Sequence, residues 1–267
     1  MAEKIKYTLI TGGSMGIGKA LARECASRGY SLLLVALDTP ELEQAAGEIR
    51  QEFSVEVNTL GIDLTELEGP AKVFAWCQDN HYRVDILINN AGIAGSVVFG
   101  ESDPAYSDVR IMLNIRALVL LTRLFLPELK SNIPARILNT GSMSAYYSIA
   151  YKSVYAASKA FVLSYSRSLG EELRGTGVSL TVVNPNGVRT NSGSHGRIDA
   201  HGKYANLVIL PVERIARIAV EGMLKGKAIV VPGKWNKLLL ILSKMIPSRL
   251  REKRVANMFR KELLASQ

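Results

Sequence analysis

The sequence predicts an α/β protein in which a doubly wound parallel sheet of about seven strands has helices on both faces. Three observations indicate this fold. Short apolar runs alternate with amphipathic stretches along the chain. Several runs are continuously apolar, as in strands that are covered on both faces. The connections are short, which favours right-handed crossovers between parallel strands. No Pro-, Gly- or Ser-rich linker interrupts the pattern, so we expect one domain over residues 1–232 and a helical extension over residues 233–267.

The predicted strands are seven short runs rich in Val, Ile and Leu. They cover residues 7–11, 31–36, 55–62, 85–89, 135–140, 178–184 and 228–231. The predicted helices are the amphipathic stretches between and after these runs, and Pro40 suits the first turn of one of them. They cover residues 17–28, 40–53, 66–81, 104–130, 153–174, 211–224, 235–246 and 249–264. Residues 191–206, which include His195 and His201, predict an irregular loop or a mobile flap.

The composition excludes several classes of protein. The chain of 267 residues is 48% apolar and 21% charged, which is ordinary for a globular domain. Its two cysteines, Cys25 and Cys77, form no disulfide framework, and with three histidines they form no zinc-binding spacing. The first residues are polar, and no apolar run approaches the ~20 residues needed to cross a bilayer. We therefore expect a cytoplasmic protein without a metal site.

The positive charge is concentrated in the extension. Residues 234–267 hold nine basic and two acidic residues, which gives +7 of the formal net charge of +9. The first helix there has a broad apolar face flanked by lysines, made of Trp235, Leu238, Leu239, Leu242, Met245 and Ile246. This pattern is typical of a helix that lies on an anionic membrane. A helix packed on the protein's own body, or on another subunit, would show the same pattern. No nucleic-acid partner is expected, because basic charge without a binding motif gives only non-specific attraction.

A glycine-rich turn follows the first predicted strand. It reads Thr11-Gly-Gly-Ser-Met-Gly-Ile-Gly18 and leads into a helix. Glycine lets the backbone approach a ligand closely, and the helix N-terminus offers free N–H groups and a positive dipole end to a phosphate. A plain tight turn would also explain the glycines, but the position after the first strand favours a dinucleotide.

The turn resembles the cofactor loop of the short-chain dehydrogenases/reductases, and other motifs of that family follow in order over residues 5–232. Asp63-Leu64 ends the third predicted strand, and Asn89-Asn-Ala-Gly92 ends the fourth. Tyr155-x-x-x-Lys159 lies on a predicted helix, thirteen residues after Ser142. The resemblance implies a Rossmann fold and the single-domain branch of ketoacyl or hydroxysteroid reductases. It also implies a homo-dimer or homo-tetramer built on the helices at 104–130 and 153–174.

The resemblance implies a catalytic set of Asn114, Ser142, Tyr155 and Lys159. Together with the residue reasoning, it predicts a site for NAD or NADP. The expected cofactor-binding residues are Gly12, Ser14, Gly16, Ile17, Gly18, Asp38, Asp63, Leu64, Asn90, Ala91, Gly92, Tyr155, Lys159, Pro185, Val188 and Thr190.

The chemistry expected of this set is proton transfer at a carbinol oxygen. Tyr155 and Lys159 are four residues apart and share one helix face. A nearby ammonium is expected to lower the pKa of the phenol, so that Tyr155 can exchange a proton with the substrate. The Ser142 hydroxyl would hold the substrate oxygen, Lys159 would bind the nicotinamide ribose, and Asn114 would hold a water that connects Lys159 to solvent.

The chain departs from the family pattern in two places. At the end of the second strand, Ala36 and Leu37 occupy the positions that usually distinguish NAD from NADP. Asp38 follows and could reach the ribose, while Met15 occupies the other common basic position, so we favour NAD. Asp38 would also suit the N-terminus of the next helix. Asn186 stands where the family has Gly, and we expect Gly187 to supply the same backbone freedom.

The sequence therefore predicts an oxidoreductase that interconverts a secondary alcohol and a ketone. The extension resembles those of reductases that act on fatty-acyl or steroid ketones, and this resemblance favours a hydrophobic substrate of the 3-oxoacyl or steroid type. The first alternative is a non-catalytic dinucleotide-binding sensor, and the second is a protein that docks on a membrane or partner through the extension. Under the enzymatic hypothesis, removal of the extension is expected to spare turnover of a soluble ketone.

Overall fold

The computed structural model describes residues 5–187, 208–243 and 245–264. The expectations for Val188, Thr190 and the segment 191–206 lie outside these residues. Seven parallel strands form one sheet in the order β3-β2-β1-β4-β5-β6-β7. The strands are β1 (Lys6–Thr11), β2 (Ser31–Ala36), β3 (Val57–Gly61), β4 (Arg83–Asn89), β5 (Ala135–Thr140), β6 (Val178–Val183) and β7 (Ile229–Val230). The predicted doubly wound fold is confirmed.

The helices lie between and after the strands. They are α1 (Gly16–Ala26), α2 (Pro40–Glu52), α3 (Gly69–Asp79), α4 (Pro104–Ile111), α5 (Leu118–Ser131), α6 (Ser153–Glu172), α7 (Val212–Leu224), α8 (Lys234–Ser243) and α9 (Ser248–Leu264). Short 3₁₀ turns cover Phe99–Glu101 and Met143–Tyr146. No helix of the described residues is both long enough and apolar enough to cross a membrane.

The sheet separates two apolar cores because successive side chains of a strand point to opposite faces. On β2, Leu32 and Leu34 pack with α1, α2 and α7, while Leu33 and Val35 pack with α3 and α5. The largest fully buried side chain of the second core is Phe125. Both faces are apolar, which explains why these strands lack the alternation of a half-exposed sheet.

The single helix expected over residues 104–130 is interrupted, and that prediction is wrong in detail. Residues Met112–Ala117 form a π-helical turn between α4 and α5. Asn114 lies in this turn and is buried. Such turns occur frequently at functional sites, and nothing in the apolar periodicity distinguishes them from α-helix.

Candidate active site

The candidate site lies where the strands end, because the carboxyl ends of parallel strands meet at one edge of the sheet. The glycine-rich turn follows β1, Asn90 follows β4, and Ser142 follows β5. Asn184 and Pro185 follow β6. The order of the strands therefore places residues that are distant in sequence at one edge.

The turn after β1 approaches its own helix closely. Gly12 has a φ of +66°, in the left-handed region that favours glycine. A Cβ on Gly18 would lie 1.8 Å from the carbonyl oxygen of Gly12. Helix α1 begins at Gly16 without a side-chain cap and without an acidic residue in its first turn. Its first N–H groups are thus available to a phosphate, as the sequence predicts.

Asn90 joins the ends of β1 and β4. Its amide group donates to the carbonyl oxygens of Thr11 (3.1 Å) and Gly12 (3.3 Å), and it accepts a hydrogen bond from Thr140. The Thr11 hydroxyl in turn accepts from the backbone N–H groups of Asn90 and Ala91, both at 3.0 Å. The motif therefore joins the ends of β1, β4 and β5 through contacts within the protein, below the expected cofactor site.

Two acidic residues flank the expected adenosine site. Asp38 is exposed, and its side chain lies over Gly61, where a Cβ would come within 2.6 Å of the Asp38 Cβ. Asp63 accepts hydrogen bonds from the Thr65 N–H (2.8 Å) and hydroxyl (2.7 Å). Leu64 beside it is buried. Asp38 and Asp63 follow neighbouring strands and lie at the same edge of the sheet.

Lys159 reaches the site from α6. It is 5% exposed, and its Nζ donates to the carbonyl oxygen of Thr140 at 2.8 Å. The same ammonium group would lie 3.4 Å from a Cβ on Gly92. Its charge therefore lies between the end of β5 and the loop after β4, where the resemblance places the nicotinamide ribose.

Tyr155 lies beside the hydroxyls of Ser142 and Ser144. Burial raises the pKa of its phenol above the ordinary value, and the two hydroxyls offset part of the rise. The expectation that the pKa of Tyr155 lies below its ordinary value is wrong in this structure, because removal of water from the phenolate outweighs its favourable contacts. Burial also lowers the pKa of Lys159 to about 8.

Asn114 fixes the helix that presents Tyr155. Its amide group donates to the Ser158 hydroxyl (3.0 Å), and that hydroxyl donates to the carbonyl oxygen of Tyr155 (2.7 Å). The Asn114 side chain also exchanges two hydrogen bonds with the backbone of Ile93. Its side chain is therefore bound to protein groups on both ends, and the bridging water stays a prediction.

Sequence reasoning missed Asn184, which positions Ser142. Asn184 is fully buried, accepts a hydrogen bond from the Ser142 N–H (3.1 Å), and donates to the Tyr146 hydroxyl (3.1 Å). The Ser142 hydroxyl itself accepts from the Ser144 N–H at 3.1 Å. A polar residue directly before Pro185, at the end of an apolar strand, was the available signal.

The expected role of Gly187 is wrong. Its φ is outside the left-handed region, and a Cβ there would meet nothing closer than Ile209 at 3.9 Å. Instead, the Asn186 side chain accepts from the Gly187 N–H (2.9 Å) and donates to Asn236 of α8 (3.0 Å). A side-chain hydrogen bond, rather than glycine freedom, shapes this loop.

The extension packs partly on the loop that follows Ser142. The Tyr147 hydroxyl donates to Ser243 (3.1 Å), and the Arg251 guanidinium lies 5.4 Å from the centre of the Tyr147 ring. The Lys152 ammonium lies 4.4 Å from the centre of the Phe259 ring. One face of the extension therefore contacts the protein's own body, although most of the apolar side chains of α8 remain exposed.

Comparison with known proteins agrees with this geometry. A family model described as short chain dehydrogenase matches residues 6–199. The very-long-chain 3-oxoacyl-CoA reductase of Bos taurus is 31% identical over 189 residues, which cover 69% of this chain and 60% of that protein. Retinol dehydrogenase 13 of Homo sapiens is 32% identical over 222 residues, which cover 78% of this chain and 66% of that protein. The chain thus spans about 60% to 66% of the length of these relatives.

A solved structure extends the similarity to most of the chain. The short-chain dehydrogenase from Sphingobium yanoikuyae, in complex with NADPH, is 31% identical and superposes with a TM-score of 0.76. The match covers 91% of this chain and 95% of that one. The shared motifs, the sheet order and the matched family model lead to one conclusion: the chain belongs to the short-chain dehydrogenases.

Proposed function

We propose that the chain is an NAD(P)-dependent oxidoreductase that interconverts a secondary alcohol and a ketone. The observation that supports this most is the phenol of Tyr155, which lies beside two serine hydroxyls and one helical turn before the buried Lys159.

The residues present fit a nicotinamide dinucleotide. The uncapped start of α1 suits a pyrophosphate, and the Lys159 ammonium beside Gly92 suits a ribose. When bound, the cofactor supplies or accepts the hydride. Tyr155 moves the proton: burial keeps the phenol protonated near neutrality, and this is the form that donates to a ketone oxygen. The Ser142 hydroxyl, fixed by the Ser144 N–H, holds that oxygen and stabilises its developing charge.

We infer that the substrate is hydrophobic, of the 3-oxoacyl or steroid type. Two relatives are named for a very-long-chain 3-oxoacyl-CoA and for retinol, which are both lipids. In this chain, Tyr146 and Tyr147 follow the catalytic serine, and the extension packs against the second of them. We expect these two aromatic side chains to line the substrate pocket, as a hydrophobic substrate requires.

We infer that NAD(H) is preferred to NADP(H). The relative from Sphingobium yanoikuyae binds NADPH. In this chain, the positions that commonly hold a cation for the 2′-phosphate are Met15 and Leu37, which are both exposed apolar side chains. Asp38 is an exposed carboxylate at the end of β2, where it would accept a hydrogen bond from a ribose hydroxyl and repel a phosphate.

Replacement of Asp38 by Ala tests the cofactor preference. We expect the wild type to bind NADH more tightly than NADPH in a fluorescence titration, and Asp38→Ala to lose about tenfold in NADH affinity, since a charge-assisted hydrogen bond is removed. Glu41→Ala removes a neighbouring exposed carboxylate and should leave both affinities unchanged. Tighter NADPH binding by the wild type would contradict the preference. Binding of neither nucleotide would contradict the proposed oxidoreductase.

The exposed face of α8 supports a second role, docking on an anionic lipid surface. Its apolar residues are 42% to 61% exposed, and Met245 after the helix is 79% exposed. They are Trp235, Leu238, Leu239, Ile241 and Leu242. Lys234 and Lys237 flank them, and the extension has a net charge of +7. Apolar side chains beside clustered cations match the chemistry of an acidic bilayer surface.

Vesicle binding tests this role. We expect the wild type to co-sediment with phosphatidylglycerol-containing vesicles, less at high salt, and not with pure phosphatidylcholine. Leu239→Ser combined with Leu242→Ser should abolish the binding, because the apolar face is lost. Leu67→Ser, which changes a 70% exposed leucine outside the extension, is the matched control. Two results would contradict a lipid partner. The double variant could bind the vesicles as well as the wild type does, or the wild type could form a dimer that the double substitution dissociates.

A further inference from the structure

Asn236 is a buried polar residue in the first turn of α8, and its amide nitrogen and its oxygen both have hydrogen-bond partners. It is 2% exposed. Its amide group donates to the carbonyl oxygens of Val208 and Pro232, both at 2.8 Å. Its oxygen accepts from the Asn186 amide at 3.0 Å. A buried amide is tolerated only when its groups are paired, so the surroundings of Asn236 define its position closely.

The partner, Asn186, belongs to the loop that the resemblance assigns to the nicotinamide. This loop is also tied to the catalytic serine, because the Met143 N–H donates to the carbonyl oxygen of Pro185 at 2.8 Å. A continuous set of contacts therefore runs from α8 through Asn236 and Asn186 to Pro185, and on to the residue after Ser142.

We propose that Asn236 is a positioning residue of the active site, which holds the nicotinamide loop through its hydrogen bond to Asn186. The proposal rests on the proposed function, and it gives the C-terminal extension a part in cofactor binding. The Asn at position 186, where the family has Gly, supplies the amide group that donates to the Asn236 oxygen. Removal of the whole extension should accordingly weaken cofactor binding even with a soluble ketone, contrary to the expectation from the sequence.

A purely structural role is the competing explanation, because Asn236 also joins α8 to Pro232 and Val208. The two roles differ at Asn186. Asn186→Ala removes the bond between Asn236 and the loop, together with the bond from the Gly187 N–H, but leaves the two carbonyl contacts of Asn236 in place. Asn132 offers the matched control: it is 4% exposed, donates to the carbonyl oxygen of Val84, and lies at the opposite end of the sheet after α5.

The experiment measures NADH and NADPH binding by fluorescence, cofactor KM and kcat, and thermal unfolding, in the full chain. We expect Asn236→Ala and Asn186→Ala each to raise the Kd and KM for the preferred cofactor about tenfold, as expected when one buried hydrogen bond is lost. The double variant should be no worse in cofactor affinity than Asn186→Ala alone, since Asn236 acts on the loop only through its bond to Asn186. Asn132→Ala should lower the melting temperature without a change in the Kd.

Three results would overturn the proposal. Asn186→Ala could leave the Kd unchanged, the two single effects could add in the double variant, or Asn132→Ala could weaken cofactor binding as much as Asn236→Ala does. If the wild type binds the cofactor and the variants give one of these three results, the positioning role alone is refuted. Wild-type protein that binds neither cofactor refutes the proposed function instead.

Discussion

Tyr155→Phe should reduce kcat for ketone reduction by about 10²- to 10⁴-fold, which is the contribution of a positioned general acid. The substitution removes one oxygen atom and leaves the ring in place on α6. The proton that reaches the ketone oxygen then has to come from water. The reduced cofactor should still bind, because the glycine-rich turn and Lys159 are unchanged. Steady-state turnover and a fluorescence titration on the same preparation measure both effects.

Tyr165→Phe is the control for this change. Tyr165 lies on the same helix and stacks on Phe161, with ring centres 5.8 Å apart. The variant loses a hydroxyl from α6 but not from the site, and its turnover should match the wild type. Turnover of Tyr155→Phe at the wild-type rate would show that another group transfers the proton.

Gly18→Ala should both destabilise the fold and abolish cofactor binding. The new Cβ would lie 1.8 Å from the carbonyl oxygen of Gly12 and 2.6 Å from the Asn90 amide. Because the first of these is a backbone atom, the turn has to move. Overpacking of this kind costs about 1–3 kcal/mol or more. Urea denaturation without cofactor measures the free energy of unfolding, and a titration with NADH and NADPH measures the binding.

Gly47→Ala is the control for this change, at a glycine where an added Cβ has space. Gly47 lies inside α2, and no atom would lie within 4 Å of its Cβ. An interior helical glycine is less favourable than alanine by about 0.5–1 kcal/mol, so this variant should be more stable than the wild type and bind cofactor normally. If Gly18→Ala unfolded at the wild-type urea concentration and bound cofactor, the close packing of the turn would be refuted.

The sheet could be predicted from the sequence because both of its faces are covered. Strand β5 was predicted with its observed bounds, since its apolar run is short and ends at the polar pair Asn139 and Thr140. Strand β3 was predicted too long, from 55 to 62, because Val55 and Ile62 lie beyond its observed bounds, although the Ile62 N–H still donates to the carbonyl oxygen of Ala36. The π-helical turn at Asn114 could not be predicted, because it depends on tertiary bonds to Ile93 and Ser158.

The site residues were predictable where a sequence motif puts reactive side chains on one helix or strand. They were less predictable where contacts between distant segments set the position of a side chain. Tyr155 and Lys159 were found by their spacing on one helix. The pKa of Tyr155 was predicted in the wrong direction, because the degree of burial is not visible in a spacing. The contacts of Asn184 with Ser142, and of Asn186 with Asn236, join segments 42 and 50 residues apart. No local pattern predicts such pairs.

One face of the extension packs on the body of the protein, and contact of the other face with a membrane stays a proposal. Asn236 and Ser243 contact the body of the protein, whereas Leu239 and Leu242 are exposed. The helical period of 3.6 residues places these two pairs of residues on different faces of α8. The sequence does not show which of the two faces packs on the body of the protein. The homo-oligomer and the cytoplasmic location stay predictions.

Transfer of deuterium is the most direct test of the proposed function. The cofactor, reduced with deuterium at the transferring carbon, would be incubated with a panel of 3-oxoacyl thioesters and steroid ketones, and the products analysed by mass spectrometry. We predict one deuterium on the carbinol carbon of at least one product with the wild type, and no labelled product above background with Tyr155→Phe. Tight cofactor binding without label in any ketone would contradict the account and would indicate a dinucleotide-binding sensor instead.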